Sequence, residues 1–483
     1  MGQALRKKKE SPSLRVGVIQ PLNGKKKFSS SSSVVVMGQP SRLPEPTPST
    51  DVVVLGFIFA GGCGTNNARR FMASMAPEDY PYLHVMVANT DGPQLKEFFD
   101  PSASNYDLTD TERDNLSKWI DTIEGNKQLT LLGLGDSGSG AGGDPEVGRI
   151  ATEAKREEIE RWMKPMRTVI IAGGAGKGTG SGALPIIQKI ANNLDKSPLT
   201  VVTMPFAYEG GGRMKKAVAT LKHLYENGPT IPIYNENVPR EHSKDKGFKE
   251  VFEEINNASI QQVFLGIREV TQVVGDMQNV DIADWRKVLS VGNYVTCDYT
   301  RMRTSYNGES EGGQEDLSIF IQRLFGQDPY QDHRSRRNAT GMLTWAHGNW
   351  NPDELKTVVK VATDELNPGV AENLEVFPGI HAGNGDSKWM MVLSVAAEGP
   401  DPDNLPSSPG LVSIGSRTST IYVPVEGQNA PVEVKVQPEI AERWKMLYHR
   451  RFGELSAAER SEYGMLATAI SIQAGKTVFC PRG

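Results

Sequence analysis

Short, nearly continuous apolar runs that break at once into glycine-rich or polar turns constrain this chain more than any other feature. Val52–Phe59 is followed by Gly61-Gly62-Cys63-Gly64-Thr65-Asn66, Leu83–Ala88 by Asn89-Thr90-Asp91, and Thr168–Ala172 by a glycine-dense loop ending at Gly182. An apolar run of this length, bounded by turn residues, predicts a strand buried on both faces, as in a parallel sheet. Helical stretches are expected at Asn66–Met75 and Leu184–Asn193, and further strands at Leu199–Pro205 and Thr230–Tyr234. Strands alternating with helices in this way predict a doubly wound α/β domain with a parallel sheet.

A second, smaller α+β domain is expected from about Ala339, with strands at Gly341–Ala346, Leu374–Gly379 and Trp389–Ala396 and a helix at Pro352–Leu366. Between the two lies a long amphipathic helix, Phe248–Val274. Its apolar positions Phe248, Val251, Phe252, Ile255, Val263, Ile267, Val270 and Val274 recur at steps of three and four, with Lys249, Glu250, Glu253 and Glu254 opposite. Asn307–Asp316 reads as a loop, residues 410–437 as alternating strands, and Glu439–Ala467 as helix. The expected organisation is a basic arm (1–50), a nucleotide-binding domain (51–240), the central helix and the loop after it (241–298), a connector (299–338), the α+β domain (339–405) and an extension (406–483).

The 483 residues suffice for two or three cores, and 38% hydrophobic with 23% charged residues fits a soluble globular protein. No run of about 18 apolar residues predicts a membrane span, and the basic N-terminus lacks the apolar core of a secretory signal. Met1-Gly2 invites N-myristoylation, but Arg6 stands where that motif needs Ser or Thr. Three widely spaced cysteines (Cys63, Cys297, Cys480) fit a reducing cytosol better than a disulfide framework. The seven histidines are scattered singly, and no metal-ligand set is expected. Residues 1–50 hold nine Lys/Arg against two acids, a net +7, so the total of −5 leaves −12 on the rest. That arm, with its serine run Ser29–Ser33 and prolines from Pro40 to Pro48, reads as disordered. It is either a solvated tail or a contact for a polyanion, DNA, an anionic membrane or an acidic neighbouring subunit.

The densest chemical signal is Gly176-Lys177-Gly178-Thr179-Gly180-Ser181-Gly182. Glycine at every second position lets a backbone bend sharply and turn its N–H groups to an anion. The helix behind it adds the positive end of its dipole, so phosphate is the natural ligand. Gly176-Lys177 is not a P-loop: Gly178 stands where Ser or Thr must follow the lysine, and Ile171 where the first glycine belongs. Gly62–Asn66 and Gly138–Arg149 are two more glycine turns in the same domain. One such loop is as readily a flexible connector, but three are hard to explain that way.

These segments resemble the tubulin/FtsZ family, and bacterial FtsZ more than eukaryotic tubulin. The family signature GGGTG(S/T)G is matched at Gly176–Gly182 except that Lys177 replaces a glycine. The resemblance implies phosphate contacts from Gly62, Gly64 and Asn66, from Gly140, Ala141 and Gly142, and from Gly176, Lys177, Gly178, Thr179, Gly180, Ser181 and Gly182. It makes Asn89 and Asp91 a further nucleotide loop and implies ribose contacts from Glu209 and Arg213. It assigns the guanine to Asn235, Phe252 and Asn256; Phe252 and Asn256, four apart, share one helix face. Asn279-Val280-Asp281-Ile282-Ala283-Asp284 resembles the loop that one subunit inserts into the next subunit's nucleotide pocket. Asn279, Asp281 and Asp284 are thereby the expected catalytic residues, the two carboxylates orienting a water for attack on the γ-phosphate.

The resemblance covers residues 52–298 well and 339–397 loosely. It implies a cytoplasmic GTPase that binds GTP or GDP, with Mg2+ held through the nucleotide, and that forms head-to-tail filaments of its own copies. Lys177 either contacts the β/γ-phosphates or points outward. Neither the linker nor the partner-binding peptide that usually ends FtsZ is recognisable. A filament positioning DNA, of the phage or plasmid tubulin type, therefore stands beside a role in cell division, as does a scaffold filament with little turnover. A nicotinamide oxidoreductase is disfavoured, because the first glycine turn does not complete G-x-G-x-x-G.

Overall fold

The structure, a computed structural model, describes residues 55–97, 108–123, 127–135, 140–238, 246–272, 282–303, 317–326, 330–331, 338–366, 374–381, 388–402, 419–423, 432–436 and 444. The basic arm, the loop at 307–316 and, apart from Trp444, the helix expected at 439–467 lie outside them.

In chain order the first half comprises β1 (Leu55–Ala60), α1 (Gly61–Ala73), β2 (Leu83–Asn89), α2 (Gly92–Lys96), α3 (Asp110–Asp121), β3 (Leu129–Gly133), α4 (Pro145–Ala154), α5 (Arg156–Met163), β4 (Thr168–Gly174), α6 (Gly178–Asn193), β5 (Leu199–Met204), α7 (Gly211–Asn227) and β6 (Thr230–Tyr234). These six strands are all parallel, in the order β3-β2-β1-β4-β5-β6. The chain winds outward from β1 in one direction and from β4 in the other, which opens a crevice at the carboxyl ends of those two neighbours. Side chains alternate across β1. Phe57 and Phe59 pack with Phe71 of α1 and with Phe264, at centroid distances of 4.6–5.9 Å. Ile58 and Ala60 face the opposite core, with Ile159, Leu184 and Leu224 of α5, α6 and α7.

The central helix is not continuous. α8 (Phe248–Ile255) passes through a π-helical turn at Asn256–Ile260 into α9 (Gln261–Gln272). Then come α10 (Ile282–Ser290), β7 (Tyr294–Arg301), α11 (Leu317–Gly326), β8 (Ala339–His347), α12 (Pro352–Leu366), β9 (Glu375–His381) and β10 (Trp389–Ala396). The strands expected of a second domain extend the first sheet, in the order β6-β7-β10-β8-β9. β10 runs antiparallel to β7 and β8, while β8 and β9 are parallel. β11 (Ser419–Val423) and β12 (Val432–Val436) form a separate antiparallel pair within the stretch expected to hold strands.

The join between the two halves is narrow. β6 and β7 pair at Thr230↔Tyr294 and then diverge. Tyr330 and Gln331 fill the fork: the Tyr234 N–H donates to the Tyr330 carbonyl at 2.8 Å. The Gln331 amide donates to the Cys297 carbonyl and accepts from the Cys297 N–H, both at 2.8 Å. A side-chain amide thus takes the place of a neighbouring strand, so the buried backbone of β7 keeps its partners.

Candidate functional site

A cleft of about 910 Å³ opens at the carboxyl ends of β1 and β4. The N-termini of α1 and α6 converge on it, and neither has a side-chain cap or an acid in its first turn. By contrast α2 and α4 carry aspartate caps: Asp91 accepts from the Gln94 N–H on α2, and Asp144 from the Glu146 N–H on α4. Uncapped first-turn N–H groups carry the positive end of the helix dipole, so this end of the cleft suits an anion.

The glycines of 176–182 do different work from that suggested by their spacing. Gly176 alone among them has a left-handed backbone, at φ +96°. The others allow close approach. A Cβ on Gly180 would lie 2.1 Å from the Gly174 carbonyl oxygen, and one on Gly182 2.1 Å from the Pro145 carbonyl oxygen. A Cβ on Gly178 would lie 2.6 Å from that of Ala141, and one on Gly148 2.5 Å from the Gly178 carbonyl oxygen. Gly64 similarly sets α1 against β1 and β4. Gly64, Ser181 and Gly182 are buried behind the cleft wall, and the Ser181 hydroxyl accepts from the Gly176 N–H at 2.8 Å. Gly62, Asn66, Gly140, Ala141, Gly142, Gly176, Lys177, Gly178, Thr179 and Gly180 line the cleft. Lys177 is exposed, with an extended backbone at φ −108° that any residue adopts.

Asn89 and Asp91 also line it, but their side chains are committed to the protein. Asn89 donates to Thr65 Oγ1 and Gln94 Oε1 and accepts from the Asp91 N–H. The contact across the crevice comes from their neighbour: Thr90 Oγ1 and Thr179 Oγ1 are 2.5 Å apart, joining the turn after β2 to the first turn of α6. Cys63 lines the floor, where burial pushes its thiol pKa up, so it stays protonated at neutral pH and acts as packing.

The opposite end is built for something flat and polar. Glu209 pairs with Arg213 in the first turn of α7 and accepts from the Phe206 N–H at 3.0 Å. Asn235, Phe252 and Asn256 line the wall here. Asn235 is buried, and its Oδ1 has no hydrogen-bond partner among the described residues. Phe252 is 38% exposed and meets Phe206 edge-on at 5.4 Å.

Sequence reasoning missed Gln94, Lys216, Lys249 and Glu253, which also line the cleft. Lys216 Nζ donates to the Gly143 carbonyl and so holds the third glycine loop against α7. Its position one turn after Arg213 was the available signal. Of the acids expected to be catalytic, Asp284 lies in the first turn of α10, half-buried and outside the cleft lining. Asn279 and Asp281 lie outside the described residues. Among the described residues no group of three or more His, Cys, Asp or Glu gathers that could hold a metal ion.

The family model described as "Tubulin/FtsZ family, GTPase domain" matches residues 54–240. The cell division protein FtsZ of Rickettsia prowazekii is 31% identical over 327 residues, covering 66% of this chain and 67% of that protein. FtsZ of Rickettsia felis is 30% identical over 309 residues, so the chain spans 62% of that relative's length and 62% of its own. Among solved structures, an empty FtsZ dimer of M. jannaschii superposes with a TM-score of 0.53 at 21% identity, covering 71% of this chain and 88% of that one. A GTPγS-bound protofilament of CetZ2 from Haloferax volcanii gives 0.52 at 18% identity, covering 71% and 93%. At these identities the structural likeness is one of fold.

Proposed function

Because the chain belongs to the tubulin/FtsZ family, we propose that its cleft binds GTP and that the chain hydrolyses it on assembling head to tail with its own copies. The observation that carries this reading is the polarity of the cleft. Two uncapped helix N-termini stand at one end, and a buried, unpartnered Asn235 oxygen with Phe252 and Asn256 at the other. Phosphates take the first end; a purine ring carrying N–H donors takes the second, stacking on Phe252. The Glu209–Arg213 pair beside that second end would meet the ribose hydroxyls. The donor set near the phosphates is backbone N–H, hydroxyl and amide, which fits Mg2+ held through phosphate oxygens and water rather than by a protein cage. That ion would neutralise charge developing on the phosphates.

Hydrolysis is assigned to Asp281 and Asp284 of the adjoining subunit, with Asn279 beside them. The position of α10 supports this. Trp285, next to Asp284, donates its Nε1–H to Thr168 Oγ1 at 3.1 Å at the amino end of β4, whereas the cleft opens at that strand's carboxyl end, so Asp284 lies at the opposite end of the sheet from its own chain's cleft. A carboxylate positioned as general base typically contributes about 10²–10⁴ in rate. Two measurements test the proposal. Competition binding should favour GTP over ATP by at least ~10²-fold, Asn235 and Asn256 being covered by the wrong base and left unpaired at roughly 1–3 kcal/mol each. GTP turnover per chain should rise steeply with protein concentration. Equal affinity for ATP and GTP, or turnover proportional to concentration from high dilution upward, overturns it.

A further inference from the structure

His347 and His381 stand side by side at the ends of β8 and β9, in direct register across a parallel strand pair. Their rings stack at a centroid distance of 4.8 Å, and the two Nδ1 atoms face each other 3.0 Å apart. Both are half-buried. The backbone beneath them is pinned: the Gly348 N–H donates to the His381 carbonyl at 3.0 Å, and Trp350 Nε1–H to the His347 carbonyl at 2.9 Å. On its other side His347 lies flat against Trp389 of β10, 5.0 Å away and within 6° of parallel. The rings are thus held from both sides.

We propose that His347 and His381 form a surface chelate for a divalent transition-metal ion of the zinc or copper type. Neutral imidazole nitrogens bind such ions at about 2.0–2.1 Å, and two nitrogens on one ion at roughly right or tetrahedral angles are about 2.9–3.4 Å apart. The Nδ1 pair already spans that distance, so binding needs almost no rearrangement. Without metal, one Nδ1 carries the proton and donates it to the other. On binding, that histidine shifts to its Nε2–H tautomer and both Nδ1 lone pairs turn to the ion, with no net proton change when both rings are neutral. Water completes the coordination. Lys388, which precedes Trp389, is already paired with Glu354 at 2.8 Å. Because β9 is the outer strand of the sheet, with β8 its one strand neighbour among the described residues, the ion would staple that edge.

The experiment titrates CuCl2 or ZnCl2 into the full chain at pH 7.5. The expected result is one site whose copper paramagnetic resonance spectrum carries two nitrogen ligands and which quenches Trp389 fluorescence, with a rise in Tm on zinc addition. His347→Gln and His381→Gln should each weaken that site at least tenfold and abolish the Tm rise, while His84→Gln leaves both intact. Trp389→Phe should remove most of the quenching but keep the two-nitrogen spectrum. Circular dichroism of each variant verifies the fold, and His381→Asn serves if His381→Gln is misfolded. Copper binding of equal strength in wild type and both histidine variants, or a wild-type spectrum with fewer than two nitrogens, overturns the proposal and leaves a proton-sharing pair.

Discussion

At the scale of single residues, glycine does two jobs in this protein, and only one is a matter of turning. Gly176 needs its left-handed backbone, whereas Gly180 needs the absence of a Cβ, because α6 begins hard against the Gly174 carbonyl. Gly180→Ala is therefore expected to push α6 off β4, at about 1–3 kcal/mol or more. Urea unfolding should register the loss directly, and GTP affinity should fall with it as the N–H groups of the first turn move. The base wall makes the complementary case. Asn256→Ala removes an amide from the far end of the cleft without touching the helix N-termini. Discrimination between GTP and ATP should shrink by about tenfold, for roughly 1.4 kcal/mol of lost polar contact, while affinity for inorganic triphosphate stays put. Competition binding with wild type and variant decides this. A uniform loss across all three ligands would mean the residue acts on the shape of the helix instead.

Among the elements, five of the six strands of the first half followed from the apolar runs and their turns, because parallel strands buried on both faces leave that pattern directly in the chain, whereas the outer strand β3 and the helices α2 to α5 and α7 went unread. Helix boundaries were less legible. α1 begins at Gly61 rather than Asn66, since the strand hands straight over to the helix and leaves its first N–H groups at the cleft. The π turn at Asn256–Ile260 shows as a step of five between the buried Ile255 and Ile260, which a search for steps of three and four passes over. His84 on β2 offers a test at this scale. Burial holds its imidazole pKa below the ordinary value, although its ring also meets the Lys127 carbonyl at 3.4 Å. The unfolded chain then binds more protons than the folded one as the pH falls through about 6.5. Stability from the neutral ring is present above that value and lost progressively below it. Urea midpoints measured from pH 7.5 to 5 should fall more for wild type than for His84→Gln; parallel curves would remove His84 from the acid response.

For the molecule as a whole, the decisive geometry is the separation between the cleft at the carboxyl end of β4 and Asp284, whose neighbour Trp285 bonds Thr168 at the amino end of that strand. Asp284→Ala should leave GTP affinity unchanged and lower turnover about 10²–10⁴-fold. It should also prolong the life of any filament, as GDP no longer accumulates in it. Mixing Asp284→Ala chains with chains that cannot bind GTP should restore turnover, since each supplies what the other lacks. Restoration would not occur if Asp284 served its own chain's cleft. The sequence by itself determined five of the six parallel strands, the family and many of the residues that line the cleft, for these depend on local patterns: apolar runs, glycine turns and residues four apart on a helix. Only the tertiary structure decided that Gly178, Gly180 and Gly182 are spacers between packed elements, and that Asn89 is spent inside the protein while Thr90 reaches across to Thr179. It also brought Lys216 to Gly143 and made one sheet of two expected domains, with Gln331 bridging the fork. These are contacts between residues far apart in the chain, and no short-range pattern encodes which distant partner a side chain or backbone group will meet once the layers pack.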